Sequence, residues 1–425
     1  MTYSLKDCHV GVIGLGYVGM PLALMLSRHM KVTGFDVFER RVKELQSGTD
    51  SNREISDDVL KASACRFTSK AEDIRDCNVY IVTVPTPLDD QNNPDLGAVE
   101  SASKSVSKLL KKNDIVVYES TVYPGVTEDV CGPILEAGSG LKCGVDFFLG
   151  YSPERINPGD AEHTVQKITK VVSGQTEKVT DFLAELYGTV NNGNIFKARN
   201  IRTAEASKAI ENAQRDINVA FINEITMVLG KLGLSTYDVL QAAGTKWNFL
   251  PFTPGLVGGH CIGVDPYYLA HCATAVGHHP EIILAGRKIN DRMGHFVADQ
   301  IAEQIKGKGR ILICGFTFKE NINDIRNTKV VDIINRLKEK GHGVDIHDPH
   351  ARAEDVEHEY GLKLLGSLPA KADYDCVALT VAHREYRALK PADLAGLLKP
   401  GGYVYDMKGL WRDNKFPATL HYQTL

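Results

Sequence analysis

The stretch that decides the fold is Val10-Gly11-Val12-Ile13-Gly14-Leu15-Gly16-Tyr17-Val18-Gly19. A short apolar run typical of a buried strand leads into glycines spaced G-x-G-x-x-G, and a helical pattern follows to about residue 28. In such a unit Gly14 permits the tight turn, Gly16 lets the backbone approach a pyrophosphate, and Gly19 lets the helix pack close to the strand. The stretch therefore predicts a parallel α/β sheet whose first turn binds a dinucleotide, with Tyr17 and Val18 also in contact with it.

The residue that ends the second predicted strand, Asp36, indicates which dinucleotide is bound. It stands 20 residues after Gly16, where a carboxylate accepts hydrogen bonds from a ribose 2′-hydroxyl. The same carboxylate repels the additional phosphate of NADP, so the predicted cofactor is NAD. Arg40 and Arg41 weaken this preference only slightly, and Arg41 is itself a candidate contact to the cofactor.

The rest of the chain continues as α/β, then helical, then α/β again. Apolar runs at 79–84 and 115–118 extend the first sheet, which ends near residue 195. From residue 203 small and apolar residues recur three or four apart, with no glycine until 230, which predicts one helix of about 45 Å. A shorter helix is predicted at 235–243, a glycine- and proline-rich loop at 247–265, further strands at 311–315, 344–346, 376–381 and 403–406, and a helix at 330–340.

The predicted fold class is therefore α/β, with two Rossmann-like parallel-sheet domains joined by a central helical domain that contains one long helix. The predicted boundaries are 1–197 for the dinucleotide-binding domain, 198–300 for the central domain and 301–425 for the C-terminal domain. A lone amphipathic helix of this length needs a partner surface, so we also predict a homodimer or higher homo-oligomer formed through it.

Composition excludes several classes of protein. The 425 residues carry a net charge of −4, so there is no broad basic field for nucleic acid or a membrane surface. The nine cysteines are odd in number and lack a C-x2-C spacing, which argues against a disulfide framework and a structural zinc site, so no metal is predicted. No signal peptide and no apolar run long enough to span a membrane are visible, and the predicted localisation is the cytoplasm.

One of these cysteines, Cys261, has a setting that suggests chemistry. It lies in Gly258-Gly259-His260-Cys261-Ile262-Gly263-Val264-Asp265, where small neighbours permit a substrate to approach closely. Asp265 could orient a water molecule or a partner ammonium. The other eight cysteines are interpreted as small buried hydrophobic residues. Adjacent loop side chains usually point apart, so His260 is given a structural or substrate-edge role instead of a place in a Cys–His dyad.

Two polar residues on the long helix are candidates to work with this cysteine. Lys208 and Asn212 are four residues apart and therefore share one helix face. A lysine and a side-chain amide can both donate hydrogen bonds to a developing oxyanion. The same spacing also fits a solvated lysine and a surface asparagine, and spacing alone does not separate these alternatives.

Together these residues resemble a known family, the nucleotide-sugar 6-dehydrogenases that include UDP-glucose and GDP-mannose dehydrogenases, over nearly the whole chain. The motifs that carry the resemblance are Gly14 to Gly19, Glu119-Ser120-Thr121-Val122, Ser152 to Gly159, Ser207-Lys208 with Asn212, Gly259-His260-Cys261 with Asp265, and Gly315-Phe316-Thr317-Phe318-Lys319 with Asp324-Ile325-Arg326. The form Gly-His-Cys looks like the branch that oxidises UDP-N-acetylhexosamines, since the UDP-glucose branch more often has Gly-Ser-Cys. Ser152-Pro153-Glu154-Arg155 likewise departs from the Asn-Pro-Glu-Phe of the UDP-glucose enzymes.

The resemblance implies a reaction and roles for individual residues. A UDP-N-acetylhexosamine 6-dehydrogenase converts the C6 alcohol of UDP-GlcNAc or UDP-GalNAc into a carboxylate, using two NAD, to supply uronic acids for bacterial surface polysaccharides. Cys261 is then the nucleophile that captures the intermediate aldehyde. By resemblance, Lys208 and Asn212 stabilise the C6 oxygen anion, Asp265 positions water and Lys208, and Glu154 is the general base for thioester hydrolysis. Thr121 is expected beside the nicotinamide, and Thr86 is a further cofactor contact.

The C-terminal α/β domain is expected to bind UDP instead of a second dinucleotide. Its turn, Gly315 to Lys319, lacks the second and third glycines of the phosphate motif. Lys319 and Arg326 are candidate contacts to the pyrophosphate or uridine, although surface charge explains this pair equally well. Arg155, Phe249 and Gly258 complete the predicted substrate contacts, and the aromatic residues near 249 also fit a core role.

Several other functions remain open on the sequence alone. A UDP-glucose 6-dehydrogenase is one alternative. A single-step hydroxyacid dehydrogenase shares the fold plan and a catalytic lysine on the central helix but needs no cysteine. A catalytically dead nucleotide-sugar sensor is a third. The configuration at C4 of the sugar is also left open.

Overall fold

The computed structural model describes residues 4–52, 55–155, 166–259 and 262–425, which form two compact units. The first unit runs to Glu211 and includes Tyr267–His278, and the second contains Asn212–Pro266 and His279–Leu425. The predicted domain boundaries, 1–197, 198–300 and 301–425, remain a proposal. In the described ranges no helix combines the length and apolar character needed to cross a membrane.

The first unit is built on an eight-stranded sheet in the order β3-β2-β1-β4-β5-β6-β7-β8. The strands are β1 (His9–Ile13), β2 (Lys31–Phe35), β3 (Arg66–Thr68), β4 (Val79–Val82), β5 (Ile115–Tyr118), β6 (Phe148–Tyr151), β7 (Lys170–Gly174) and β8 (Ile195–Lys197). The helices are α1 (Gly19–Leu26), α2 (Glu39–Gln46), α3 (Asp57–Lys61), α4 (Gly97–Ser107), α5 (Gly132–Ser139) and α6 (Glu177–Gly188). Strands β1 to β6 pair in parallel in the order typical of dinucleotide-binding sheets.

The continuous apolar strands follow from burial on both faces of this sheet. Val12 packs into one core cluster, with Val117 and Leu22, whereas Ile13 packs into the other with Val116. Successive side chains of a strand point to opposite faces, so a strand covered on both sides needs an apolar residue at every position.

One strand of the first sheet runs against the others. β7 is antiparallel to β6, with Tyr151 opposite Ser173. Its first residue, Lys170, therefore lies at the sheet edge where the parallel strands β5 and β6 end. No sequence pattern predicted β3, β6, β7 or β8.

The long helix and its neighbours come next along the chain. They are α7 (Ile201–Lys231), α8 (Thr236–Ala243), α9 (Asp265–Ala275) and α10 (Glu281–Gln304). α7 has 31 residues and α8 is capped by Ser235, both close to the predicted bounds. α10 was not predicted. In the second unit Gly286 of α10 faces Ile217 and Ala220 of α7, and a Cβ at this position would lie in van der Waals contact with both.

The second unit contains a six-stranded parallel sheet in the order β11-β10-β9-β12-β13-β14. Its strands are β9 (Arg310–Cys314), β10 (Gly343–His347), β11 (Leu364–Leu365), β12 (Tyr374–Leu379), β13 (Leu398–Asp406) and β14 (His421–Thr424). Its helices are α11 (Val330–Glu339), α12 (Ala353–Tyr360), α13 (Arg384–Arg387) and α14 (Pro391–Leu397). The strand order repeats that of β1 to β6, so the predicted fold class, with two parallel-sheet domains and a helical region between them in sequence, is confirmed.

Candidate active site

The three glycines of the first turn have the geometry that a pyrophosphate site requires. Gly14 adopts φ 94°, and its N–H donates to the carbonyl of Phe35 over 2.8 Å. A Cβ added to Gly19 would lie 1.9 Å from the carbonyl oxygen of Gly14, so only glycine permits this close packing of α1. A Cβ added to Gly16 would meet no described atom within 4 Å. The backbone is therefore open at Gly16, where the phosphate is expected, and Tyr17 and Val18 continue the turn half-buried.

The carboxylate of Asp36 is held at the mouth of this turn. Its two oxygens accept hydrogen bonds from the N–H groups of Leu15, over 2.8 Å, and Phe38, over 2.9 Å. Arg41 donates to the carbonyl of Leu15 over 3.0 Å and pairs with Asp50 at 2.8 Å. The structure thus gives Arg41 a bracing contact to the turn, and its contact to the cofactor stays a prediction.

The remaining predicted cofactor residues follow the carboxyl ends of neighbouring strands. Thr86 lies beyond β4, and its carbonyl accepts a hydrogen bond from Tyr268 over 2.7 Å. Thr121 lies beyond β5, half-buried, next to Ser120, whose hydroxyl donates to the carbonyl of Val84. Ligands of open α/β sheets bind outside the carboxyl ends of the strands. This edge of the first sheet, including the glycine turn and Asp36, therefore fits a dinucleotide.

Replacing Gly16 with a larger residue tests NAD binding separately from folding. We expect Gly16→Val to raise the Kd for NAD about 10- to 100-fold, because lost hydrogen bonds to a charged group cost about 1.5–3 kcal/mol. The melting temperature should change little, since the new side chain enters open space. Gly19→Ala is the contrasting variant, because its Cβ meets backbone and should destabilise the domain. Calorimetric titration with NAD and thermal melting measure both effects, and unchanged affinity in the Gly16→Val variant would contradict the assignment.

A buried charged cluster accompanies Glu154, the predicted general base. Glu154 follows β6, and one of its oxygens lies 3.6 Å from the ammonium of Lys170. Lys170 also contacts Glu119 at 2.7 Å, and Glu119 accepts a 2.5 Å hydrogen bond from the hydroxyl of Tyr187. Burial raises the pKa of Glu119. Burial alone would lower the pKa of Lys170, but the two carboxylates together raise it.

Arg155, the residue after Glu154, is bound within the protein. Its guanidinium reaches both carboxylate oxygens of Glu211, at 3.2 and 2.9 Å, and the carbonyl of Thr169 at 2.8 Å. These contacts brace the segment after β6. The predicted contact of Arg155 to the substrate stays a prediction.

The two polar residues of α7 are buried, which settles one of the alternatives left by the sequence. Lys208 is 8% exposed and Asn212 6% exposed. The interpretation of this pair as a solvated lysine and a surface asparagine is therefore wrong. A buried lysine and a buried amide need polar partners. The two residues lie one helical turn apart, so donation by both to one oxygen anion stays a prediction.

The partner of Asn212 is Asp265, 53 residues further along the chain. The amide nitrogen of Asn212 donates to a carboxylate oxygen of Asp265 over 2.5 Å, and Asp265 is 2% exposed at the start of α9. The role predicted for Asp265 involved water and Lys208, and its contact to Asn212 was not predicted. An amide nitrogen carries two hydrogens, so donation to Asp265 leaves the second for an oxygen anion.

Cys261 and His260 lie outside the described residues, but the glycines before them are described. A Cβ on Gly258 would lie 2.7 Å from the carbonyl oxygen of Asn327, and one on Gly259 would lie 2.8 Å from the Phe318 ring. Gly259 also has φ 79°. The segment leading to the predicted nucleophile therefore packs against the 315–328 loop so tightly that only glycine fits.

A polar pocket lies in the second unit beside Gly258. Its other lining residues include Thr317, Glu320, Lys329 and Lys408, and the ammonium of Lys408 is 3.7 Å from a carboxylate oxygen of Glu320. Neither lysine was predicted from the sequence, since neither belongs to a motif.

The residues predicted to bind the nucleotide differ in their exposure and in their contacts within the protein. Arg326 forms two hydrogen bonds to the carboxylate of Asp324, at 2.9 and 2.6 Å. Lys319 is half-buried and its carbonyl accepts from the hydroxyl of Thr317. Phe249 is half-buried in an irregular segment next to exposed Leu250. Their substrate contacts stay predictions.

The turn after the first strand of the second sheet resembles the glycine turn of the first sheet, but groups of the protein occupy it. Gly315 has φ 101°, and Asp348 stands after β10 as Asp36 stands after β2. One oxygen of Asp348 accepts from the N–H groups of Phe316 and Thr317 and pairs with Nε2 of His383 at 2.9 Å. Burial alone would raise the pKa of Asp348, but these hydrogen bonds lower it well below its usual range. A carboxylate occupied in this way is not available to a ribose, in contrast to Asp36.

Comparison with known proteins agrees with this architecture. Residues 8–191 match the NAD binding domain of the UDP-glucose/GDP-mannose dehydrogenase family, 202–292 match its central domain, and 312–413 match its UDP binding domain. The first unit therefore carries an NAD site, and the second sheet belongs to the domain that binds the UDP part of a nucleotide-sugar.

Proteins that are similar to this chain over nearly its whole length belong to the same family. A UDP-N-acetyl-D-glucosamine 6-dehydrogenase of Pseudomonas aeruginosa is 50% identical over 98% of this chain and 100% of its own length. One of Salmonella typhi is 46% identical over 96% and 97%, respectively. The solved structure of a UDP-D-ManNAc dehydrogenase from Pyrococcus horikoshii matches with a TM-score of 0.87 at 28% identity over 98% of both chains. The chain thus belongs to the UDP-glucose/GDP-mannose dehydrogenase family and is an NAD-dependent nucleotide-sugar dehydrogenase.

Proposed function

We propose that the protein is a UDP-N-acetyl-D-glucosamine 6-dehydrogenase that oxidises the C6 alcohol of the sugar to a carboxylate. The observation that carries the chemistry is the buried polar group on α7, with Asn212 held by Asp265 and Lys208 one turn away. The sugar is supported by the two relatives named above, which are 50% and 46% identical and bear this activity in their names. Relatives named for the galacto and manno sugars are only 30% and 32% identical.

Different residues of the chain act in the successive steps of the proposed reaction. Each oxidation needs a hydride acceptor, which is the chemistry that bound NAD supplies. Lys208 and Asn212 donate hydrogen bonds to the oxygen at C6 as negative charge develops there. The thiolate of Cys261 attacks the aldehyde to form a thiohemiacetal, whose oxidation gives a thioester, and this covalent capture retains the reactive aldehyde. Glu154 then takes a proton from the water that releases the acid.

The remaining predicted roles follow the same scheme. Thr86, Thr121 and the glycine turn hold the cofactor, and Asp36 selects NAD over NADP by repelling the additional phosphate. Asp265 positions water and Lys208, and its contact to Asn212 also orients that amide. Lys319, Arg326, Phe249, Gly258 and Arg155 contact the nucleotide or the sugar. We propose a place for the product in bacterial surface polysaccharide synthesis and a cytoplasmic location for the enzyme.

An assay of NADH release tests the proposal and its alternatives together. The purified chain is given NAD with UDP-glucose, UDP-N-acetylglucosamine, UDP-N-acetylgalactosamine or UDP-N-acetylmannosamine. Two NADH per UDP-N-acetylglucosamine, with the highest kcat/KM of the panel, is the expected result. One NADH per sugar would favour a single-step dehydrogenase, preference for UDP-glucose would favour the alternative sugar, and binding without NADH would favour a sensor.

We further propose a homodimer or higher homo-oligomer formed through the long helix. Phe221 and Val228 are seven residues apart on one face of its C-terminal part, and Leu232 follows directly after its last residue. Their exposed fractions are 54%, 48% and 65%, respectively. A stripe of large apolar side chains is costly to leave in water, and a second copy of the same helix would cover it.

Charge placed in this stripe should dissociate the oligomer. Phe221→Glu is expected to shift the molar mass measured by light scattering to that of one chain of 46.7 kDa. Lys231→Glu, at the exposed end of the same helix, is the control and should leave the mass unchanged. An unchanged mass in the Phe221→Glu variant, or a single-chain mass in the unaltered protein, would contradict the proposed interface.

A further inference from the structure

The cluster around Glu119 contains a lysine to which neither the sequence motifs nor the proposed reaction gives a role. The side chain of Lys170 is only 12% exposed, and its ammonium contacts Glu119 at 2.7 Å and Glu154 at 3.6 Å. Its Nζ also lies 5.1 Å from the centre of the Tyr187 ring. Burying a charged lysine is costly unless it is paired, so this residue needs an explanation.

The strand direction explains how a lysine comes to this place. Glu119 follows the carboxyl end of β5, and Glu154 follows that of β6. β7 is antiparallel to β6, so Lys170 at its first position reaches the same edge. A parallel β7 would place its first residue at the opposite edge of the sheet. The reversal thus delivers a positive charge to the edge where the predicted ligands bind.

The contacts of the cluster are asymmetric. Glu119 is 2% exposed and is held from two sides, by Lys170 and by the hydroxyl of Tyr187 at 2.5 Å. Glu154 retains 19% of its side chain exposed and has the longer contact to Lys170, 3.6 Å. Glu119 and Tyr187 therefore fix the ammonium, and the ammonium in turn faces the more accessible carboxylate.

We propose that Lys170, fixed by Glu119 and Tyr187, is a positioning residue that orients the Glu154 carboxylate for the hydrolysis step. This inference rests on the proposed function, in which Glu154 is the base. In that step the oxygen of water bonds to the thioester carbon and the carbon–sulfur bond breaks. The cysteine leaves as a thiolate, and the proton of water passes to Glu154. No electrons are exchanged, so only the base and its orientation are required.

Removal of the ammonium should slow hydrolysis specifically. In Lys170→Met we expect kcat to fall about 10- to 100-fold, less than the full contribution of a general base. Both hydrides leave before hydrolysis, so the variant should release a rapid burst of two NADH per active site before slow turnover. Intact-protein mass spectrometry should then show a covalent adduct. Lys170→Arg, which keeps the charge, should restore most of the rate and abolish the burst.

A double variant tests whether an unpaired buried charge causes the effect, and a second variant serves as the control. Lys170→Met leaves Glu119 buried without its cation, so Lys170→Met/Glu119→Gln removes both charges and should show the same burst. Lys197→Met is the matched control. Lys197 is the last residue of β8 in the same sheet and pairs with Asp181 of α6 at 2.6 Å, but its side chain is 53% exposed. The kcat of this variant should stay at the wild-type value.

The outcomes separate this inference from the proposed function. A folded Lys170→Met or double variant with the wild-type kcat, or with reduced kcat and no burst, would overturn the positioning role. Wild-type protein that releases no NADH from UDP-N-acetylglucosamine would instead overturn the proposed function.

Discussion

Cys261→Ser is expected to abolish carboxylate formation, with kcat for the complete oxidation reduced at least about 1000-fold. A serine hydroxyl is a much poorer nucleophile than a thiolate at neutral pH, so the aldehyde is not captured and the second oxidation lacks its covalent substrate. The first oxidation does not require the thiol. The variant should therefore stop at the aldehyde, or at a trapped intermediate, and release at most one NADH per sugar. Product analysis by mass spectrometry and counting of NADH measure both quantities.

Cys272→Ser is the matched control for this variant. Cys272 is a half-buried free thiol on α9, seven residues after Asp265, and no step of the proposed reaction uses it. Its replacement should leave kcat, KM and the two-NADH stoichiometry unchanged. If Cys261→Ser instead produced carboxylate at the wild-type rate, hydration of the aldehyde would suffice for the second oxidation, and covalent catalysis would be refuted.

Local sequence signals predicted one part of the structure well. Gly14, Gly16, Gly19 and Asp36 are set by a turn and by the strand that follows it, so their spacing along the chain nearly determines their spacing in space. The long helix was predicted from local signals as well, since small and apolar residues recur three or four apart along it. The fold class followed from these elements and from the return of strand patterns after residue 310.

Contacts that depend on strand direction or on distant segments were not predictable in this way. Lys170 joins Glu119 and Glu154 only because β7 reverses, and no residue pattern announced that reversal. Asn212 and Asp265 are 53 residues apart, and only folding reveals that the amide holds the carboxylate. Burial of Lys208 was equally invisible, since a helix-face lysine looks the same in a sequence whether it is solvated or enclosed.

The two sheets show how similar local geometry can serve different ligands. Thr83 donates to the carbonyl of Gly14, and Thr380 donates to that of Gly315, so both turns are tied to the neighbouring strand in the same way. Asp348, however, is occupied by His383 and by backbone N–H groups. Nδ1 of His383 accepts from the N–H of Asn321, so Nε2 carries the hydrogen that binds Asp348. The second turn is therefore filled by the protein itself, which agrees with the absence of the second and third glycines.

The second large effect is expected from Lys208, the residue proposed to stabilise the oxygen at C6. Lys208→Met should lower kcat and kcat/KM together by about 100- to 1000-fold, the range seen when one oxyanion donor is removed. Methionine has nearly the length of the lysine stem and is apolar, so it fits a site that is 8% exposed without leaving a buried charge unpaired. Affinity for NAD and the melting temperature should change little. Lys231→Met, at the exposed end of the same helix, is the control and should behave as wild type.

A double variant distinguishes a shared oxyanion site from two independent contributions. If Lys208 and Asn212 donate to the same oxygen, the loss in the Lys208→Met/Asn212→Ala variant should be clearly smaller than the product of the two single losses, because each donor is worth less once the other is gone. Asp265→Asn should resemble Asn212→Ala, since the 2.5 Å contact orients the amide. Fully multiplicative losses in steady-state kinetics would mean that the two side chains act on different atoms. A Lys208→Met enzyme that raised KM alone would mean that the lysine binds substrate without stabilising the transition state.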